Sequence, residues 1–130
     1  MATLEELLQS VSDVMFPEGQ GHSAVSLASH GYDGDTALHV FAWRDDIASA
    51  KVLLEAGADP NARGEMEDTP LHVAITQGNA QLAALLLSYG ADPELRSAFG
   101  SARELAAESG GAVAALFNNG VSQGPWDGPN

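Results

Sequence analysis

Histidines are the side chains of this sequence best suited to acid–base or metal chemistry, and there are four of them. Serine hydrolysis is not indicated, because the G-x-S-x-G turn is absent and Gly21-His22-Ser23 lies in a glycine-rich stretch. His22 and His30 would be the available metal ligands, but their spacing fits no standard zinc site and the chain has no cysteine. We therefore predict that His22 and His30 belong neither to a serine hydrolase site nor to a metal centre.

One acidic segment, Asp33-Gly34-Asp35, begins like a calcium-binding loop. A loop of that type needs a bidentate glutamate at its twelfth position. Counting from Asp33, that position is Arg44, whose side chain is a cation. We therefore predict no metal, no cofactor and no enzymatic activity.

The other two histidines, His39 and His72, belong to a block that occurs twice. Thr36-Ala37-Leu38-His39-Val40 recurs as Thr69-Pro70-Leu71-His72-Val73, and the histidines are 72 − 39 = 33 residues apart. A second block, Leu53-Leu54-Glu55-Ala56-Gly57-Ala58-Asp59-Pro60, keeps this period, since its glycine returns as Gly90 and 90 − 57 = 33. The period and the T-P-L-H block are typical of ankyrin repeats. The sequence thus resembles the ankyrin-repeat family.

The resemblance implies an all-α repeat fold, an ankyrin solenoid of about three helix–turn–helix repeats with hairpin loops. Two repeats span about residues 31–63 and 64–96, and a divergent third spans 97–120, within a repeat region of 25–120. The residues implied to be structural are Thr36, His39, Gly57, Thr69, His72, Gly78 and Gly90. In the family the histidine ties neighbouring loops together, whereas a threonine suits a helix start and a glycine a helix end.

Three substitutions depart from the repeat pattern. Asp45 stands in repeat one where repeat two has Gly78, and it predicts a less ideal turn because aspartate tolerates the left-handed conformation less well. Glu67 stands where a hairpin glycine is usual, which predicts a different tip. Glu104 replaces the histidine in the third repeat, whose register is therefore uncertain from sequence.

An N-terminal helix is predicted to cover the first repeat. Thr3-Leu4-Glu5-Glu6 has the spacing of a capping box, and the apolar residues after it keep helical spacing until Pro17. Stacked repeats leave an apolar face at each end, so such a cover is expected. We assign residues 1–24 to the capping helix and its linker, and residues 121–130, with Trp126, to a flexible tail.

The charge balance favours some partners over others. Five Lys and Arg residues stand against 18 Asp and Glu residues, for a net charge of −13. Such a chain is repelled by nucleic acids and anionic membranes and attracts a basic protein. The alternative is that acidity only keeps the protein soluble. We see neither a secretory signal nor an apolar run of membrane-spanning length, so we expect a cytoplasmic protein. As an adaptor, it is expected to be a monomer.

The resemblance also implies where a partner would bind. Ankyrin proteins usually bind on the concave face, through hairpin tips and the exposed positions of each first helix. Here those positions hold large apolar groups with acids around them, which suits a basic segment carrying an apolar anchor. The predicted partner-binding residues are Tyr32, Asp33, Asp35, Trp43, Arg44, Glu65, Met66, Asp68, Gln77 and Phe99.

Alternatives remain open for single residues and for the whole chain. Phe99 could instead cover the end of the stack, Trp43 could pack on the N-terminal helix, and Arg44 could stack on Trp43 or pair with an acid. The leading function is a protein-binding adaptor. The alternatives are an immunity protein that neutralises a basic toxin, and a self-associating structural scaffold.

Overall fold

The computed structural model describes residues 3–11, 15, 26–27, 29–31 and 34–118. These ranges contain seven α-helices, one 3-10 turn (Glu65–Glu67) and one pair of short antiparallel strands, and they have the all-α repeat architecture predicted from sequence. The helices are α1 (Leu4–Ser10), α2 (Ala37–Trp43), α3 (Ile47–Glu55), α4 (Pro70–Thr76), α5 (Ala80–Ser88), α6 (Ala102–Ser109) and α7 (Gly111–Asn118). The strands are β1 (Arg96–Ser97) and β2 (Gly100–Ser101). The predicted tail of residues 121–130, with Trp126, lies outside the described residues.

The first helix of each repeat begins with the same cap. The hydroxyls of Thr36 and Thr69 accept hydrogen bonds from the backbone N–H three residues on, at 3.5 and 3.4 Å. Ser101 caps α6 in the same way, since its hydroxyl accepts from the Glu104 N–H at 3.1 Å. The caps are 69 − 36 = 33 and 101 − 69 = 32 residues apart. The third repeat therefore keeps the same kind of helix cap, and the segment from the second cap to the third is one residue shorter than the segment from the first to the second.

The turn inside each helix pair needs a left-handed residue, which is Gly78 between α4 and α5, with a φ of 70°. Asp45 takes this conformation in repeat one, with a φ of 57°, at a cost that glycine avoids. Its carboxylate accepts a hydrogen bond from the Asn79 side-chain amide at 3.1 Å. The strained turn thus ties repeat one to repeat two, which a glycine could not do. At the ends of α3 and α5, Gly57 and Gly90 have φ values of 105° and 98°.

The core runs through the stack as one continuous cluster. Large aliphatic side chains of successive repeats are fully buried, among them Leu38, Leu53, Leu71, Leu82 and Leu86. First helices contact first helices, α2 with α4 and α4 with α6, while second helices contact second helices, α3 with α5 and α5 with α7. Each repeat therefore buries its apolar face against its neighbours, as the physics of a solenoid requires.

Helix α1 packs against α3 at the N-terminal end of the stack. Its capping box is present, because the Thr3 hydroxyl accepts from the Glu6 N–H at 3.1 Å and the Glu6 carboxylate accepts from the Thr3 N–H at 2.8 Å. Leu8, Val11 and Met15 are buried, so the predicted apolar face is turned into the core. The helix itself ends at Ser10.

The third hairpin has a shorter tip than the first two. In the first two, the N–H of Gly31 donates to the Asp35 carbonyl and the N–H of Gly64 donates to the Asp68 carbonyl, at 2.8 and 2.7 Å. Three residues lie between the bonded pair in each case. In the third, Ser97 on β1 is opposite Gly100 on β2, which leaves two residues for the turn. This shorter tip accounts for the missing residue of the third repeat.

Candidate functional site

A groove of about 490 Å³ lies between the hairpins and the C-terminal ends of α2 and α4. All three repeats contribute to its wall, because its residues come from the hairpins and from α2, α4 and α6. The lining residues are Asp35, Trp43, Glu65, Met66, Asp68, Thr76, Phe99 and Leu105. Six of them, Asp35, Trp43, Glu65, Met66, Asp68 and Phe99, belong to the partner-binding set predicted from sequence. The fold thus brings together residues that are up to 99 − 35 = 64 positions apart.

Three large apolar side chains of the groove are open to solvent. Trp43 is 43% exposed, Met66 57% and Phe99 60%. Such exposure favours the binding-face prediction over the alternatives in which Trp43 packs on the N-terminal helix and Phe99 covers the end of the stack. Burying such groups against a partner would release water from apolar surface, which is the main driving force for association.

The tip of the second hairpin has an unusual backbone. Met66 and Glu67 have φ values of 58° and 66°, in the left-handed region that non-glycine residues avoid. Each such residue costs about 1 kcal/mol or more. The Met66 carbonyl accepts a hydrogen bond from the Ala98 N–H at 2.9 Å, which ties this tip to the third hairpin. Glu67 thus takes a left-handed conformation, as the equivalent Gly34 of the first hairpin does with a φ of 96°, and the strained tip carries the exposed Met66 side chain at the groove.

Asp35 differs from its predicted role as an exposed acid at the rim. It is only 5% exposed, and its Oδ1 accepts a hydrogen bond from the Glu65 N–H at 2.8 Å. Because this bond joins the first hairpin to the second, Asp35 acts as a connection between repeats. The sequence could not show this, since the donor lies 65 − 35 = 30 residues away.

Asp68 and Glu65 leave carboxylate charge at the groove. Glu65 is exposed, whereas Asp68 is half-buried. The Oδ1 atom of Asp68 is shielded from solvent and has no hydrogen-bond partner in the part of the chain that the structure describes. A buried oxygen without a donor is costly, because it loses its hydration and gains nothing in return.

Arg44 and Gln77 lie beside the groove and do not line it. The Arg44 guanidinium carbon is 5.9 Å from the centroid of the Phe41 ring, so the cation stacks on Phe41. The sequence had offered two other partners for Arg44, the Trp43 ring and an acidic side chain. The Gln77 side-chain amide donates to the Trp43 carbonyl at 2.7 Å. Gln77 thereby holds the end of α4 to the end of α2, which fixes the backbone that carries Trp43.

Two predicted residues, Tyr32 and Asp33, lie outside the described residues. Thr76 lines the groove at an exposed first-helix position, which is where the family resemblance places binding residues, whereas Leu105 was not predicted. Leu105 becomes recognisable once the third repeat is aligned with its observed offset, because it then matches Val73 (105 − 73 = 32). Val73 is fully buried, whereas Leu105 is half-buried at the groove wall.

The repeated histidines are engaged on both ring nitrogens. The Nδ1 atoms of His39 and His72 each accept from the threonine N–H that precedes the helix, at 3.1 Å. Their Nε2 atoms therefore carry the proton and donate to the carbonyls of Asp68 and Gly100, at 2.8 and 2.9 Å. Each histidine thus links its own helix to the hairpin of the next repeat.

Burial sets the protonation of His39. His39 and the equivalent His72 are both 0% exposed. Desolvation lowers the pKa of His39 from its ordinary 6.5, against weaker opposing effects from the Asp68 carbonyl and the nearby carboxylates. The neutral ring is the form that its hydrogen bonds require, because Nδ1 must remain an acceptor.

The described ranges also bear on two other kinds of site, a metal site and a membrane span. No group of three or more histidine or acidic side chains is placed there to hold a metal ion. None of the helices in these ranges combines the length and apolar character needed to cross a membrane.

No curated protein matches the sequence. A family model described as ankyrin repeats (3 copies) matches residues 2–97, which is most of the chain. The helix pairs, the repeated caps and the histidine links agree with that match, and the chain belongs to the ankyrin-repeat family.

Proposed function

We propose that this chain is a non-catalytic adaptor that binds a basic segment of another protein in the groove. Ankyrin repeats generally mediate protein–protein interaction, and the family is generally non-enzymatic. The observation that carries the proposal is the exposure of Trp43, Met66 and Phe99 within one groove. Exposed tryptophan and neighbouring apolar groups are typical of the centre of a protein interface.

Charge supports a basic partner. Asp35, Glu65 and Asp68 line the groove, and none of the five Lys and Arg residues of the chain does so. The net charge of −13 extends the same sign over the rest of the molecule. Such a field speeds the encounter with a cationic partner and disfavours an acidic one.

The test compares capture of proteins from the native lysate by three tagged forms of the chain. These are the wild type, a Trp43→Ala/Met66→Ala double variant, and a Tyr89→Ala control. Tyr89 is also exposed, at 36%, but it does not line the groove. All three should give the same circular dichroism spectrum, because the substituted side chains are at the surface.

We expect one basic protein to be retained by the wild type and the Tyr89→Ala control and lost from the double variant. Retention by all three would place the binding site elsewhere and contradict the proposal. An untagged copy of the chain added to the lysate separates an adaptor from a scaffold. If that copy is the only protein captured, self-association replaces partner binding as the function.

A further inference from the structure

Asp35 and Asp68 occupy equivalent places in successive repeats, 68 − 35 = 33 residues apart, yet their carboxylates have different surroundings. Each directly precedes the threonine cap of a first helix. The Oδ1 of Asp35 accepts a hydrogen bond from the Glu65 N–H at 2.8 Å. The Oδ1 of Asp68 is equally shielded from water and has no donor in the described part of the chain.

The shorter third hairpin explains the difference. Glu65 directly follows Gly64, the residue that closes the second hairpin. The corresponding residue of the third hairpin is Ala98, which directly follows Ser97. Its N–H donates to the Met66 carbonyl at 2.9 Å and is therefore not available to Asp68. Deletion of one residue thus leaves a carboxylate oxygen at the groove wall without the donor that its counterpart has.

The chain's own cations are committed elsewhere. Arg63 pairs with Glu67 at 3.2 Å, Arg96 with Glu104 at 2.9 Å and Arg103 with Glu94 at 2.6 Å. Arg44 lies over the Phe41 ring, and Lys51 is an exposed residue of α3. The groove is thus lined by acidic side chains and by none of the five Lys and Arg residues, all of which the structure describes.

We propose that Asp68 is the anchor for an arginine side chain of the bound partner, an inference that rests on the proposed function. A guanidinium carries five N–H donors in a plane and so can pair with the half-buried Asp68 carboxylate from the groove side, while the shielded Oδ1 atom stays out of its reach. The same plane stacks on aromatic rings, and Trp43 and Phe99 line the same groove. Lysine fits less well, because its compact ammonium is strongly hydrated and offers no flat face.

The probe is a pair of blocked pentapeptides with glycine on both sides of one central residue, which is arginine in one and citrulline in the other. Citrulline has nearly the same shape as arginine and no charge. Binding to the full chain is followed by NMR, through the indole N–H of Trp43 and the methyl group of Met66. The variants are Asp68→Asn and, as a matched loss of one charge at an exposed residue of α3 that does not line the groove, Glu55→Gln.

We expect the arginine peptide to give saturable shifts at both reporters and the citrulline peptide to bind about tenfold more weakly or not at all, because a charge-assisted bond is lost. Asp68→Asn should reduce arginine binding to the citrulline level, and Glu55→Gln should leave it within about twofold, because its charge is remote from the groove. Equal binding of the two peptides, an unchanged affinity in Asp68→Asn, or no saturable shift at millimolar peptide would each overturn the proposal. Asp68→Asn removes no hydrogen bond found within the described residues, so a folded variant is expected and its spectrum verifies this directly.

The arginine anchor and the proposed function can fail separately. A captured protein that is lost from Trp43→Ala/Met66→Ala but retained by Asp68→Asn would keep the groove as the binding site and remove the arginine anchor. A captured protein that every variant retains would contradict both the arginine anchor and the groove as the binding site.

Discussion

The two equivalent aspartates predict opposite effects on stability. Asp35→Ala leaves the Glu65 N–H without its side-chain acceptor and should lower the free energy of unfolding by about 1–3 kcal/mol. Asp68→Ala removes a shielded oxygen without a donor and should leave the free energy unchanged or raise it by up to about 1 kcal/mol. Urea unfolding of both variants beside the wild type measures the difference. Equal losses would mean that Asp68 makes a stabilising interaction comparable to that of Asp35.

His39 makes the stability of the fold depend on pH. Burial, the largest cause, lowers the pKa of His39 in the folded protein from the ordinary 6.5. The unfolded chain therefore binds a proton at higher pH than the folded one, and stability falls as pH drops through about 6.5 towards the folded pKa. The slope contributed by one histidine reaches at most about 1.4 kcal/mol per pH unit.

The measurement is the urea midpoint at about pH 7.5 and about pH 5.5, for the wild type and for His39→Gln, because histidines titrate in this window. The wild type should lose more stability between these two values than His39→Gln does. The carboxylates of Glu6 and Glu104, whose pKa values lie below the ordinary 4.5, lose their stabilising effect only at lower pH and do not enter this window. A variant that loses as much stability as the wild type would show that His39 is not the titrating group.

At the scale of the elements, the helices were predictable because their signals are local. The caps at Thr36 and Thr69 and the apolar spacing of α1 can be read within a few residues. The third hairpin was not predictable, because it is one residue shorter and so breaks the 33-residue spacing of the repeats. Its helix cap, Ser101, still makes the same hydrogen bond as the threonine caps. The burial of Asp35 was missed for a different reason, since its partner is the backbone of another repeat.

Gly64 and Gly78 are needed for different reasons, close packing between repeats and a left-handed backbone. Gly78 needs freedom of φ, and a Cβ there would meet no neighbouring atom, so Gly78→Ala should cost about 1–2 kcal/mol from the backbone alone. At Gly64 a Cβ would overlap the Asp35 carboxylate and approach His39 Nε2 to 2.8 Å. Gly64→Ala should therefore cost more, about 3 kcal/mol, because both links between repeats must move.

Thermal or urea unfolding of Gly64→Ala and Gly78→Ala gives the comparison. A larger loss in Gly78→Ala would mean that the hairpin yields more easily than the helix turn. Amide proton exchange at Glu65 adds an independent reading, because its bond to Asp35 should open in Gly64→Ala and remain closed in Gly78→Ala.

At the scale of the molecule, the groove exists only because the repeats stack. Trp43 comes from the end of α2, Met66 from the second hairpin and Phe99 from the third, so no single repeat could present all three. The Gln77 bond to the Trp43 carbonyl and the Ala98 bond to the Met66 carbonyl hold this arrangement together. From sequence, the aromatic and acidic residues of the site could be named, but the orphaned oxygen of Asp68 could not. It depends on the lengths of two hairpins at once.

The net charge of −13 should make the whole fold more stable in salt. Like charges repel one another more in the compact state than in the expanded one, and ions screen this repulsion once the Debye length falls below about 10 Å. Raising sodium chloride from about 50 mM to about 500 mM, which shortens that length about threefold, should raise the urea midpoint. The three surface ion pairs oppose this effect only slightly, because exposed pairs contribute little.

A charge variant distinguishes screening from a general effect of salt on apolar groups. Glu55→Lys/Glu108→Lys replaces two exposed acids, neither of which lines the groove, and it changes the net charge to −13 + 4 = −9. With less repulsion to screen, this variant should gain less stability from the same salt, while being at least as stable as the wild type at low salt. If both proteins gain equally, the gain comes from stronger burial of apolar surface. In that case the acidic field does not limit the stability of the fold, and its remaining effect is on the encounter with a cationic partner.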